Sequence, residues 1–275
     1  MLDLRPLHLH VLRTLALLAL LAFGPLGCTT KLGMKTGQIF GVNGPFQIED
    51  FNVDVSGPVS VDISTFAGDV TVNADQDITG AHVRIIREAT HGKGRKTEAK
   101  ASLQNISTNV EIVPGELGQM IKVTAVTADP EPDFQRAHVI LDIGSLDGLS
   151  IQTANGDVEA YNFEGALNVG TSYGGIRLAT NHALIRPISL IDHNGSIDLR
   201  MRGESEGILD CETIRGTVTH IVKYGKLIIN NGTDDDTLHA VLNDGTNSIT
   251  IRTTDGDIRV AVVSNPTAVG TFIFN

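Results

Sequence analysis

A chain of 275 residues with 29 glycines, no tryptophan and 41% hydrophobic residues suits a turn-rich aliphatic β protein, as two ordinary domains or one extended solenoid. The formal net charge is −11, with acidic and basic residues interspersed, which speaks against nucleic acid and against anionic lipid surfaces as partners. The two cysteines, Cys28 and Cys211, stand in unrelated contexts, so no disulfide is expected.

Residues 1–27 read as a targeting segment. Arg5 and Arg13 give a positive start, Leu15 to Phe23 is unbroken apolar sequence, and Gly24-Pro25-Leu26-Gly27 leads to Cys28. Nine apolar residues rise only about 14 Å as a helix, too short to cross a bilayer, so a secretory signal is predicted. Leu26-Gly27-Cys28 resembles the end of a bacterial lipoprotein signal, although Pro25 stands where an aliphatic residue is usual. The resemblance implies cleavage before Cys28 and acylation of its thiol. Several acyl chains, at roughly 0.8 kcal/mol per buried CH₂, would hold the chain to a membrane. Thr29 rather than aspartate follows Cys28, which implies the outer membrane in a Gram-negative cell. Residues 28–45, with Gly33, Gly37 and Gly41, read as a tether.

Folded sequence is expected over 46–275. Val59, Val61 and Ile63 alternate, Ala67-Gly68-Asp69 follows, and Val70 and Val72 alternate again, nine residues on from Val61. Over 73–148 the period is lost. Runs such as Asn109-Val110-Glu111-Ile112-Val113 and Ala137-His138-Val139-Ile140-Leu141 predict longer antiparallel strands that cover or extend a repeat core. Thr90 to Lys100 is the one basic run and reads as a solvated hairpin tip.

Residues 149–262 carry a regular repeat. First-strand anchors Leu149, Leu167, Ile188, Leu209, Ile229 and Ile249 are each followed nine residues later by an apolar anchor: Val158, Ile176, Ile197, Val218, Leu238 and Ile258. Two residues past each first anchor come Ile151, Val169, Leu190, Cys211, Asn231 and Ile251, so Cys211 is predicted to be a buried small hydrophobe. Seven past the anchor lies a turn-glycine column, Gly156, Gly174, Gly195, Gly216 and Gly256, with Gly68 as its N-terminal counterpart and a break at Asp236. Asn155, Asn194 and Asp255 precede it, residue types that tolerate positive φ. The fifth copy is therefore irregular. A coil of about twenty residues cannot offset its own backbone entropy by burying a few aliphatic side chains, so coils must stack and be capped. Residues 263–275, with Phe272, Ile273 and Phe274, are the expected C-terminal cap.

This pattern predicts an all-β, single-stranded β-helix of coils about twenty residues long, with an antiparallel strand insertion near its N-terminal end. Asn-Gly between alternating runs is also a hairpin signal, and the alternative is a β-sandwich of stacked hairpins. From about Phe46 to Val262 the chain resembles the bacterial β-strand-repeat proteins of unknown function related to the autotransporter-adhesin head (GIN) domain. The likeness rests on Gly57-Pro58-Val59-Ser60-Val61 leading to Gly68-Asp69-Val70, on Leu149-Ser150-Ile151-Gln152-Thr153, and on the Asn155-Gly156-Asp157-Val158 and Asp255-Gly256-Asp257-Ile258 turns. It implies a right-handed β-helix and carries no catalytic or ligand residue.

The chemistry-bearing residues are sparse. The seven histidines past Cys28 lack ligand spacing, so no metal and no cofactor are expected. Asp234-Asp235-Asp236 lacks the alternation of a calcium loop and reads as a solvated corner. One residue past each second anchor, Glu159, Arg177, Asp198, Thr219, His239 and Arg259 are expected to form an outward ladder. Opposite charges there can neutralise one another, or two carboxylates and an arginine could serve a polysaccharide lyase or hydrolase. The predicted function is a non-enzymatic, lipid-anchored envelope protein that presents a β-helix for adhesion, scaffolding or binding of an envelope polysaccharide or protein. The alternatives are the polysaccharide-active enzyme and a partner-binding module of an envelope signalling system.

Overall fold

A computed structural model describes residues 29–31, 44–116 and 118–268. The signal, Cys28, most of the tether and the Phe272–Phe274 cap lie outside the described residues.

Alternating apolar residues write most of the strands. They are β1 (Thr29–Lys31), β2 (Phe46–Val53), β3 (Val59–Thr65), β4 (Val70–Ala74) and β5 (Ala81–Ala89), then helix α1 (Lys96–Ser102), β6 (Ile106–Gly115), β7 (Gly118–Thr127) and β8 (Gln135–Ile143). The regular region holds β9 (Asp147–Asn155), β10 (Val158–Tyr161), β11 (Glu164–Tyr173), β12 (Ile176–Ala179), β13 (Ile188–Asn194), β14 (Ile197–Arg202), β15 (Gly207–Arg215) and β16 (Val218–Val222). Last come β17 (Leu227–Ile229), β18 (Thr237–Leu242), β19 (Ser248–Asp255) and β20 (Ile258–Val263).

The strands form two ten-stranded sheets. One runs β1-β2-β5-β8-β4-β10-β12-β14-β20-β16; the other runs β17-β18-β15-β19-β13-β11-β9-β3-β7-β6. Each glycine corner passes the chain from one sheet to the other, so β9 and β10 are not paired; Thr153 instead lies beside Thr171 and Thr65. This overturns the stacked-hairpin alternative. The fold is a β-solenoid, and its core is the double row of anchors: Val61, Leu149, Leu167, Ile188, Ile249 and Leu209 align in register on one side. Val70, Val158, Ile176, Ile197, Ile258 and Val218 align on the other. All but the half-buried Val218 are at most 3% exposed. In-register parallel stacking accounts for the constant nine-residue step, because any slip would turn the apolar set outward.

Three features differ from the sequence expectation. First, the strands between 73 and 148 are not all antiparallel: β7 pairs parallel with β3 and β8 parallel with β4, placing Ile121 beside Val61 and Val139 beside Val70. They form a full coil whose corner is lengthened, the step being 18 residues (139 − 121) instead of nine, which hides the repeat. Within 73–148 only β5 and β6 are bound solely by antiparallel ladders, β5 to β2 and β8, and β6 to β7. Second, stacking order is not chain order. The β3–β4 coil lies inside the later β7–β8 coil, and the last coil, β19–β20, inserts between β13–β14 and β15–β16. The first and last coils are thereby hydrogen-bonded on both sides. Third, the irregular fifth copy is not a coil. Its β17 and β18 form an antiparallel pair on β15, with Leu238 beside Cys211, and Leu238, Ala240 and Leu242 of β18 are buried. Asn231 is exposed rather than inward. This pair closes the second sheet at one end, where the first sheet stops at β16, parallel to β20, and β1, β2, β5, β6 and α1 close the other end with antiparallel strands in both sheets.

The basic run is not a hairpin tip either. Its second half is α1, which buries Ala99 and Ser102. Arg95 stacks on Phe134 at 5.4 Å and is paired with Glu98 and Glu131.

Candidate functional site

The corners show what the repeat residues do. A Cβ on Gly68 would lie 2.4 Å from the Ala137 carbonyl oxygen, and Cβ atoms on Gly156, Gly174, Gly195, Gly256 and Gly216 would lie 2.0–2.2 Å from the carbonyl of the glycine in the coil before. Close approach therefore requires glycine along the whole column. Positive φ is a lesser reason, found at Gly68, Gly174 and Gly256 but not at Gly156, Gly195 or Gly216. Asn155, Asn194 and Asp255 do not use left-handed backbone; among described non-glycine residues only Asn162 and Asn243 do.

Two side-chain ladders flank that column, and the sequence reading missed both. Four residues past each first anchor, Thr65 donates to the Ala137 carbonyl (3.1 Å), Thr153 to Gly68 (3.2 Å), Thr171 to Gly156 (3.2 Å), Thr253 to Gly195 (2.9 Å) and Thr213 to Gly256 (2.8 Å). Asp192 takes this place in its coil. One residue past the glycine, Asp69 Oδ1 accepts from Asp157 N–H (2.9 Å), Asp157 Oδ1 from Gly175 N–H (2.7 Å) and Asp257 Oδ1 from Thr217 N–H (3.0 Å). The Gly-Asp wording thus pairs a close approach with an acceptor for a corner N–H outside the backbone ladder. The recurring Thr and Asp at fixed offsets were the available signal.

The first sheet carries the charged ladder. Glu159, Arg177, Asp198, Arg259 and Thr219 lie side by side in that order. His239 is not among them; it lies on β18 in the other sheet, where its Nδ1 is 3.1 Å from Asp210 Oδ1, because the fifth copy does not form a coil. Glu159 accepts from Arg177 (2.7 Å) and from the Tyr161 hydroxyl (3.2 Å), Asp198 is held by Arg200 (2.9 Å), and Arg259 reaches Asp257 (3.3 Å). Each carboxylate is thus bound by a guanidinium on its own or the adjacent strand. Ion pairing, between rungs for Glu159 with Arg177 and within a rung for the other two, is what this geometry favours.

The second sheet carries a groove of about 530 Å³ on its outer face. Gly170 lowers its floor, with Gln152 of the strand below and Ile191 of the strand above at the same outward position. The groove runs past Asn168 and Ser172, then His193 and Thr254, to Arg252, Glu212 and Ile214. Five adjacent strands contribute, a length of about 19 Å at the usual interstrand spacing. Uncharged polar groups share its middle with the buried carboxyl of Asp192, and Ile191 and Ile214 are exposed at 51% and 68%. Its one charged wall is internally paired: Arg252 bonds Asp210 and lies 3.3 Å from Glu212. Tyr173 stands edge-on to His193 at the rim, 6.5 Å between centroids.

Cys211 is fully buried, and burial pushes its thiol up to about 12, so it acts as a small hydrophobe. Among the described residues no three His, Cys, Asp or Glu side chains are grouped to hold a metal ion. In the acidic corner Asp234 accepts from Thr237 (2.6 Å), and the Asp235 carbonyl accepts from Val218 N–H (2.9 Å), tying the corner to β16. No described helix is long and apolar enough to cross a membrane.

No curated protein matches the sequence. Among solved structures, a candidate cell adhesion protein from Clostridium sporogenes superposes with a TM-score of 0.56 at 10% identity, covering 80% of this chain and 99% of that one. A candidate adhesin from Bacteroides fragilis matches with a TM-score of 0.32 at 10% identity, over 80% of this chain and 97% of that one. At such identity the first likeness shows a shared fold. The sequence pattern of Toastrack DUF4097 matches residues 47–261, the two solenoid sheets from β2 almost to the end of β20, and the chain belongs to that family.

Proposed function

We propose that this protein is a non-enzymatic cell-envelope lipoprotein, held by acyl chains on Cys28, that presents the groove over Gly170 for adhesion to an extended envelope polymer. The groove itself carries the reading. It is long and open, lined mainly by uncharged hydrogen-bonding groups with Ile191 and Ile214 exposed along it, and it follows the solenoid axis, the form an extended chain would fill. The fold shared with a candidate cell adhesion protein agrees with it. The pairing of Glu159 with Arg177 and of Asp198 with Arg200 favours the non-enzymatic reading over a lyase or hydrolase.

The test is to fill the groove. The atoms nearest a Cβ at Gly170 are the flexible end of Gln152, from 2.5 Å, so Gly170→Leu should block the floor by pushing that side chain aside. Sedimentation of purified full-length protein with isolated envelope polysaccharide should show binding by wild type and at least tenfold weaker binding by Gly170→Leu. Equal binding by the two would sink the groove, and new reducing or unsaturated ends in the polysaccharide would sink the non-enzymatic reading. Labelled fatty acid entering wild type but not Cys28→Ala is the expected result for the anchor.

A further inference from the structure

The groove offers two kinds of polar group. Gln152, Asn168, Ser172 and Thr254 carry amides and hydroxyls that can both donate and accept, and among the described residues none of these side chains is hydrogen-bonded within the protein. They stand on β9, β11 and β19, so the free groups recur along the solenoid axis rather than converging on one point. Tyr173, Ile191 and Ile214, each more than half exposed, add apolar surface beside them.

The ionic groups, in contrast, are spent on one another. Arg252 Nη1 donates to the Asp210 carbonyl oxygen at 2.5 Å, Nη2 donates to the Asp210 carboxylate, and Nε lies 3.3 Å from Glu212 Oε2. One guanidinium thus faces two carboxylates. The second oxygen of Asp210 is 3.1 Å from His239 Nδ1. Arg215, at the corner beyond Ile214, is paired with Asp255, and Arg186 stands before β13 begins, outside the groove. The two guanidiniums are therefore outnumbered by Asp210, Glu212 and Asp255, before the buried Asp192 is added.

We infer that the groove takes a neutral, hydroxyl-rich glycan chain, and that Asp210 and Glu212 set this specificity by neutralising Arg252. This rests on the adhesive groove proposed above. Sugar hydroxyls donate and accept together, as do the free amides and hydroxyls that would meet them, and the apolar faces of sugar rings suit Tyr173 and the two isoleucines. An anionic chain would have to take Arg252 from one carboxylate while facing the other, so the wall repels it. A peptide finds less, because the groove lies on the face of the sheet and offers its backbone no strand edge to pair with.

The test separates isolated envelope polysaccharide by anion exchange into neutral and acidic fractions, treats each with protease, and measures co-sedimentation with the full-length protein. Wild type should bind the neutral fraction equally in low and high salt, and Gly170→Leu should lose that binding. The double variant Asp210→Asn, Glu212→Gln keeps the shape of the wall and leaves the Arg252 charge uncompensated, so it should gain about tenfold in affinity for the acidic fraction, an effect that high salt removes. Preference of wild type for the acidic fraction, or loss of its binding on protease treatment, overturns the inference. So does a double variant that keeps the wild-type denaturant midpoint and gains nothing; if that variant does not fold, the wild-type preference between the fractions decides alone. Acidic-fraction binding by wild type that Gly170→Leu abolishes would sink the neutral specificity and keep the groove, whereas equal binding by wild type and Gly170→Leu sinks both.

Discussion

Asp192 faces the Gly174 carbonyl from a place that threonine holds in the neighbouring coils. Its Oδ2 and that carbonyl oxygen lie 2.5 and 2.2 Å from the point where a Gly195 Cβ would sit, and Oδ2 is buried without a partner. Its Oδ1 accepts from His193 and Asn194 N–H at 2.7 and 3.2 Å. Burial is the largest influence on the carboxyl and raises it above the ordinary aspartate value, aided by the charge of Asp157 and opposed by the two backbone N–H groups and His193. A protonated Asp192 can donate to Gly174 as the threonines donate to their glycines; an ionised one cannot.

The sign follows. A raised folded-state value means that Asp192 contributes stability in full below its unfolded value of about 3.9, and that the contribution is lost as pH rises through the folded value. Above that value it is a buried charge short of one hydrogen bond. Asp192→Thr should therefore stabilise by about 1–3 kcal/mol where Asp192 is ionised, and the gain should be larger at pH 7 than near pH 4. Urea unfolding of both proteins at the two pH values checks this; a gain independent of pH would remove Asp192 ionisation from the account.

Gly195 tests close approach apart from backbone strain. Its φ is one that any residue can adopt, yet an alanine Cβ would lie 2.2 Å from the Gly174 oxygen, so Gly195→Ala should cost about 1–3 kcal/mol. Gly92 has φ +80° and nothing within 4 Å of a Cβ, so Gly92→Ala carries only the left-handed penalty, about 1 kcal/mol. The ordering of their melting temperatures is the measurement.

The corner aspartates predict a milder effect. Asp157→Ala removes the acceptor of Gly175 N–H at an exposed corner where water can replace it, costing about 0.5–1 kcal/mol, and Asp157→Asn should recover most of that. Denaturant midpoints that fall equally for both variants would mean that charge, not the hydrogen bond, matters there.

His138 begins the same ladder and is 4% exposed between two carboxylates. Burial pulls its ring down, but hydrogen bonds and charge from Asp69 and Glu88 outweigh it and raise it to about 9. The imidazolium can donate from Nδ1 to Asp69 Oδ2 (3.2 Å) and from Nε2 to Glu88 Oε2 (3.4 Å); the neutral ring can instead accept from Asp69 N–H at 3.1 Å. With a raised value, the stabilisation is complete below the unfolded value of about 6.5 and lost as pH rises through about 9. Unfolding free energy should fall between these limits in wild type and stay flatter in His138→Gln.

The regular coils were legible because in-register stacking forces one apolar period on the chain. Leu149 with Val158, or Ile188 with Ile197, shows it without coordinates. The Cys211 position was legible for the same reason. The β7–β8 coil was not, because its corner is longer than the others and breaks the period at Ile121 and Val139. His239 was misplaced because a hairpin and a coil can share the same alternation, and only the partner strand distinguishes them. The groove was hidden too, since Gly170 is a depression only once Gln152 and Ile191 stand on either side of it.

By itself the sequence determined the rung: which residues face inward and where the chain turns on glycine, since these depend on contacts repeated identically in every coil, while the carbonyl of the neighbouring coil that makes glycine necessary there is seen only in the structure. The tertiary structure alone decided the stacking order, the antiparallel ends, and which side chains from distant coils share a groove or a buried carboxyl site. Those depend on which rung lies beside which, and rungs of nearly identical apolar pattern do not specify their neighbours.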